Sequence, residues 1–185
     1  MKIDVDSGLL TGTVQVPSPN HDERPEGVEP ELLVIHNISL PPGSFGGHAI
    51  DDLFCNRLDP EADPFFAEIC QLKVSSHLLI RRDGEVVQYV PFQKRAWHAG
   101  ISSYQGRPSC NDFSIGIELE GTDDSGFTAR QYAVLAVVAR QLFDAYPGLS
   151  AERMVGHSDI APGRKTDPGP GFDWQRLKVL LSSSA

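Results

Sequence analysis

Hydrophobic residues fall in short runs separated by loops rich in proline, glycine and charge, and the rhythm within each run separates strands from helices. Glu31-Leu32-Leu33-Val34-Ile35-His36 is apolar without alternation. That pattern fits an inner strand covered on both faces, as in an α/β sheet. Residues 113–119 alternate instead. Phe113, Ile115, Ile117 and Leu119 point one way, while Ser114, Gly116, Glu118 and Glu120 point the other. A hairpin is predicted over 75–90, where residues 76–80 and 85–90 flank the turn signal Asp83-Gly84. Helices are predicted near 48–57 and 61–71, divided by Asp59-Pro60. A longer one opens at Thr128, whose spacing to Gln131 makes a capping box, and stops at about Tyr146 before Pro147-Gly148. Residues 154–157 read as a short strand, and a last helix starts near Asp173. Residues 17–30 and 41–47 read as loops. Strands interleaved with helices imply an α/β fold, a central mixed β-sheet flanked by α-helices. One domain is expected over residues 1–185, with 1–30 a strand-and-loop segment and 178–185 a flexible tail.

A chain of 185 residues suits one domain with a core of its own. Its formal charge of −9 disfavours nucleic acid, which needs a basic face. An anionic substrate would therefore need a local basic patch. The longest apolar run, residues 132–139, is too short to span a bilayer, so no membrane partner is expected. Met1-Lys2-Ile3-Asp4-Val5-Asp6 carries acids where an export signal has a basic start, which points to a cytoplasmic protein. Cys55, Cys70 and Cys110 form no C-x-x-C pair and read as reduced thiols.

Histidines stand at 21, 36, 48, 77, 98 and 157. His36 and His157 each follow a short apolar run. In open α/β sheets ligands gather outside the carboxyl ends of strands, and two imidazoles there suit zinc. The segment Gly156-His157-Ser158-Asp159-Ile160-Ala161-Pro162-Gly163-Arg164-Lys165-Thr166-Asp167 adds two carboxylates and a lysine in a loop stiffened by proline and glycine. Either Asp159 or Asp167 could be a third ligand, which would leave a fourth position for water. Glu118 and Glu120 share a strand face and offer a general base, or else are solvated acids of an outer strand. Lys165 could stabilise an oxyanion. There is no H-E-x-x-H, no G-x-S-x-G, and no phosphate-binding glycine loop.

Six strings carry a resemblance: Leu33-Val34-Ile35-His36-Asn37-Ile38-Ser39, Asp63-Pro64-Phe65-Phe66, Ser75-Ser76-His77-Leu78-Leu79-Ile80-Arg81-Arg82-Asp83-Gly84, Arg95-Ala96-Trp97-His98-Ala99-Gly100, Ser114-Ile115-Gly116-Ile117-Glu118-Leu119-Glu120-Gly121-Thr122-Asp123 and Gly156-His157-Ser158-Asp159-Ile160-Ala161. In this order, over about residues 12–175, they resemble the cytoplasmic 1,6-anhydro-N-acetylmuramyl-L-alanine amidases of Gram-negative bacteria. These belong to the type 2 amidase and peptidoglycan-recognition superfamily. The resemblance implies that fold, one Zn2+ per chain on His36, His157 and Asp167, and Asp159 outside the ligand set. It implies Glu118 as the base acting on water, Lys165 as the oxyanion stabiliser, and Asn37, Trp97 and His98 along the substrate groove. The substrate would be a small anhydro-muropeptide of cell-wall recycling, and the protein a monomer.

Two departures stand out. Phe65 replaces a tyrosine common in relatives. Near Lys73 and Ser109 some relatives carry arginines that hold peptide carboxylates, whereas here Lys73 and Arg107 carry the charges. A lysine is a point charge rather than a fork, so looser recognition of the peptide end is expected. The rival expectations are an exported amidase acting on intact peptidoglycan and a non-catalytic peptidoglycan-binding module.

Overall fold

An unbroken apolar strand needs cover on both faces, and the computed structural model, which describes residues 1–183, provides it. The main sheet has six strands: β1 (Val14–Gln15), β2 (Leu32–Ile38), β3 (Leu78–Ile80), β4 (Val86–Gln88), β5 (Ser114–Glu120) and β6 (Met154–Gly156). Their spatial order is β6-β2-β5-β3-β4-β1. Strand β5 runs parallel to β2 and β3, β6 parallel to β2, and β1 parallel to β4, while β3 and β4 form the antiparallel hairpin expected around Asp83-Gly84. The sheet is therefore mixed, and β2 and β5 are neighbouring interior strands.

The helices are α1 (Ala49–Phe54), α2 (Pro64–Ile69), α3 (Ala129–Ala145), α4 (His157–Ile160) and α5 (Trp174–Ser182). On one face, Leu33, Ile35, Leu78, Ile80, Ile115, Ile117 and Leu119 pack against Tyr132, Leu135, Val138 and Leu142 of α3 and Leu177 of α5. On the other, Leu79, Val87 and Tyr89 meet Ile50, Leu53, Phe54 and Phe66 of α1 and α2. Helix α3 starts where its capping box predicts: the Thr128 hydroxyl accepts from the Gln131 N–H at 3.1 Å, and the Gln131 amide oxygen accepts from the Thr128 N–H at 3.0 Å.

Four expectations change. Phe113 leaves the row of Ile115, Ile117 and Leu119 and packs with Leu32 and Val34 on the opposite face. The cause is the 3-10 turn Cys110–Asp112 just before it, which breaks the extended alternation. The loop predicted at 17–30 holds a short strand, His21–Glu23, paired antiparallel with Lys94–Ala96. Residues 178–182, expected in a flexible tail, continue α5, because Leu180 and Leu181 pack against the core; residues 184–185 lie outside the described residues. β5 is no outer strand, and both of its glutamates are buried. Among the described residues no helix is long and apolar enough to cross a membrane, and the three cysteines are free thiols.

Candidate active site

Parallel pairing sets the site. The β2–β5 register places Glu118 opposite His36, so a carboxylate and an imidazole emerge side by side from two neighbouring interior strands. His157 does not end β6 as its sequence suggested; it opens the short helix α4 directly after it. The Asp159 carboxylate turns back to accept the Gly156 N–H at 2.7 Å, which removes it from the imidazoles. Asp167 returns to them, because its carbonyl accepts the Ser158 N–H at 2.9 Å. Asp167 Oδ2 lies 3.0 Å from His36 Nδ1 and 3.1 Å from His157 Nδ1, and the two Nδ1 atoms are 3.0 Å apart.

Three donors so nearly equidistant make a triangle. Ligands ~2.0–2.1 Å from a tetrahedral ion stand ~3.3 Å apart, close to what these side chains show. Protonation fits as well. The Ala99 carbonyl can only accept, and it sits 3.1 Å from His157 Nε2, where it takes that proton and leaves Nδ1 with its lone pair. The same carbonyl accepts from Arg164 Nη2 at 2.6 Å. Burial lowers His36 to about 4, so its ring is neutral at pH 7. Burial alone would raise Asp167, but its contacts with His157 and His36 outweigh that and hold it well below the ordinary carboxylate range. Converging lone pairs and an ionised carboxylate call for a cation. His36, His157 and Asp167 can hold a metal ion together.

The two imidazoles open onto a cavity of about 190 Å³ whose lining includes His36, Trp97, His98, Glu118, His157 and Lys165. An apolar wall of Ile38, Leu53, Phe54, Leu72 and Val74 completes it. The two glutamates of β5 now separate. Glu120 is engaged: its carboxylate accepts the Gly46 N–H at 2.5 Å and the Arg82 N–H at 3.0 Å, strapping two loops to the sheet. Glu118 Oε2 is buried without a hydrogen-bond partner. Such an atom is costly to bury unless something in the cavity binds it. Burial, with a smaller push from Asp167 and an opposing pull from Lys165, raises Glu118 well above its ordinary range.

That shift has a sign in stability. A carboxyl raised on folding favours the fold below its unfolded pKa and loses that contribution as pH rises through the folded pKa. Glu118→Gln is therefore expected to raise Tm of the metal-free protein at pH 8, by roughly 2–4 °C per kcal/mol released. The difference should vanish below the ordinary glutamate pKa of ~4.3. Melting curves across pH test this, and an offset that does not change with pH would contradict it.

The remaining site residues fall in different places. Trp97 and His98 line the cavity, but His98 Nδ1 lies 2.9 Å from His36 Nε2, which ties the ring to a donor of the cluster. Asn37 lies outside the lining; its Nδ2 donates to Asp123 Oδ1 at 2.7 Å. Lys73 is exposed between the wall residues Leu72 and Val74. Arg107 does not reach the cavity. It stacks 3.9 Å over the Phe113 ring and donates to Glu31 at 2.9 Å, beside Leu32 at the opposite end of β2 from His36. Asp123 and Arg164 were not foreseen. The Asp123 carbonyl accepts the Gly171 N–H at 2.7 Å, and a Cβ on Gly169 (φ 76°) would stand 2.3 Å from Asp123 Cα, so the glycines let Asp123 hold the loop after Asp167. Arg164 bonds the Ala99 and Ile101 carbonyls and clamps the two walls together.

The family model described as N-acetylmuramoyl-L-alanine amidase matches residues 26–170. The chain belongs to the N-acetylmuramoyl-L-alanine amidase family. Among curated members of this amidase family, the 1,6-anhydro-N-acetylmuramyl-L-alanine amidase AmpD of Escherichia coli K12 is 64% identical over 178 residues, covering 96% of this chain and 97% of its own. A crystal structure of a Se-Met AmpD derivative is similar at a TM-score of 0.95, with 60% identity over 98% of this chain and 100% of that one. The amidase AmiD from E. coli, in complex with the substrate anhydro-N-acetylmuramic acid-L-Ala-D-gamma-Glu-L-Lys, is similar at a TM-score of 0.60 and 32% identity, over 85% of this chain and 60% of that one.

Proposed function

We propose that this amidase is a zinc enzyme that hydrolyses the amide joining 1,6-anhydro-N-acetylmuramic acid to L-Ala in small muropeptides. The observation that carries the reading is the triangle of His36, His157 and Asp167 beside the unpartnered carboxylate oxygen of Glu118. Two imidazoles and a carboxylate are a zinc donor set of the catalytic type. Zinc held there supplies Lewis acidity, which activates water near neutral pH and polarises a carbonyl. Glu118 takes a proton from the attacking water as it adds to the lactyl carbonyl carbon. The Lys165 ammonium, in the same cavity, offsets the negative charge that develops on the carbonyl oxygen. Glu118 then returns the proton to the leaving nitrogen as the C–N bond breaks. The products are the lactyl carboxylate of the sugar and the free amine of the L-Ala peptide.

Trp97 offers an aromatic face to the sugar, and Lys73, at the rim, a charge to the peptide end. We assign the protein to cytoplasmic recycling of wall fragments, acting as a monomer.

Metal analysis together with mass-spectrometric assay of a defined anhydro-muropeptide, beside intact sacculus, tests the proposal. One zinc per chain and release of the intact peptide from the soluble fragment are expected, with a modest loss when the peptide's terminal carboxylates are removed. Preference for sacculus would favour an exported wall amidase. Binding without cleavage would favour a recognition module.

A further inference from the structure

We propose that His98 is a positioning residue for the metal donor His36: its ring, anchored by Ser114, accepts the His36 Nε2–H and so keeps the His36 Nδ1 lone pair aimed at His157 and Asp167. The inference rests on the zinc reading above and names the outer shell of that site.

A backbone carbonyl can accept a hydrogen bond but cannot donate one. The Cys110 carbonyl accepts the Ser114 hydroxyl at 2.6 Å. With its proton spent there, Ser114 Oγ can only accept from its other neighbour, His98 Nε2, at 3.1 Å. His98 Nε2 therefore bears hydrogen. A neutral imidazole with hydrogen on Nε2 has a bare Nδ1. That Nδ1 lies 2.9 Å from His36 Nε2, so His36 is the donor in the last link. Each proton is placed in turn by the one before it, and the series ends with the His36 lone pair on Nδ1. The His98 ring is buried and its nitrogens meet only His36 and Ser114, with no carboxylate to pair a charge, so the neutral ring is the form that fits.

Packing holds the ring where the relay needs it. A Cβ on Gly116 would stand 2.5 Å from His98 Cγ, so only glycine leaves space for the imidazole against β5. The His98 ring meets His36 edge to face, with centroids 5.0 Å apart. Asn111 Oδ1 accepts the backbone N–H groups of both His98 at 3.1 Å and Ala99 at 2.8 Å. Consecutive residues on one anchored segment thus orient both donor imidazoles, His98 through its ring and Ala99 through its carbonyl. Partners of this kind fix the ring orientation and tautomer of a metal-binding histidine, and their loss typically weakens metal binding 10–100-fold.

Long-range 1H–15N spectra of the zinc-loaded protein read the tautomers directly. His98 is expected with hydrogen on Nε2, and His36 with hydrogen on Nε2 and metal on Nδ1; hydrogen on His98 Nδ1 would overturn the relay. Zinc affinity, measured by chelator competition, is expected to fall roughly 10–100-fold in His98→Leu. His98→Asn, whose amide oxygen can take the place of Nδ1 as acceptor, should recover most of that loss. Wild-type affinity in His98→Leu would refute the assignment. Should His98→Leu not fold, Gly116→Ala displaces the ring instead, and the same fall in affinity is expected. A wild-type protein that binds no zinc would refute the underlying zinc reading, whereas zinc binding indifferent to His98 refutes only the relay.

Discussion

Glu118→Ala is expected to retain one zinc per chain yet turn over an anhydro-muropeptide about 10²-fold or more slowly, the usual loss for a removed acid–base group. The expectation follows from its place in the cavity. Glu118 shares the lining with His36 and His157, but its Oε2 has no protein partner, and it is no member of the donor triangle. Its removal should therefore spare metal binding and cost proton transfer. The pH profile carries the same signature. A base must be ionised, and burial holds Glu118 well above the ordinary carboxylate range. In the zinc-loaded enzyme the ion draws Glu118 back down, and the acid limb of kcat/KM should follow this group and disappear in Glu118→Gln. Wild-type turnover in Glu118→Ala would remove it from the mechanism. Glu120→Gln is the control, since that side chain is committed to the Gly46 and Arg82 N–H groups and should affect stability rather than proton transfer.

Asp167→Ala is expected to behave differently, losing zinc and activity together. Asp167 Oδ2 contacts both imidazole Nδ1 atoms, and without it two neutral nitrogens remain to hold a doubly charged ion. Lewis-acid stabilisation is worth several kcal/mol, so turnover should fall by on the order of 10³-fold or more at the standard ~1.36 kcal/mol per decade. Asp159→Ala should keep its zinc, because that carboxylate serves the Gly156 N–H at the start of α4. A zinc-replete Asp167→Ala protein, or a zinc-free Asp159→Ala protein, would reverse the assignment.

The elements that could be read along the chain are those whose cause is local. The unbroken apolar run of β2, the alternation of β5 from Ser114 onward and the Thr128–Gln131 cap each act within a few residues. The site was readable as residue types at strand ends, but the choices within it were not. Glu118 and Glu120 share a strand face, and what separates them is a pair of N–H groups from Gly46 and Arg82, far away in sequence. Asp159 is the nearer to His157 in the chain, yet the carbonyl contact to Ser158 N–H and the Asp123 contacts at Gly169 bring only Asp167 back to the imidazoles. Family resemblance selected Glu118 and Asp167, and long-range hydrogen bonds set the surroundings of each apart from those of Glu120 and Asp159. Arg107 shows the converse. Its charge invited a place in the groove, but Glu31 and the Phe113 ring capture it at the other end of the sheet. His98 was expected against substrate, and its nearest polar partner proves to be His36.

Amide cleavage is expected to depend on zinc held by His36, His157 and Asp167. Stripping the protein with a chelator, restoring it with one equivalent of zinc, and following a defined anhydro-muropeptide by mass spectrometry tests it most directly. Cleavage between the anhydro-sugar's lactyl carbonyl and L-Ala is expected to stop on stripping and to return at one zinc per chain. Cleavage of that bond at an undiminished rate by the stripped protein would contradict it.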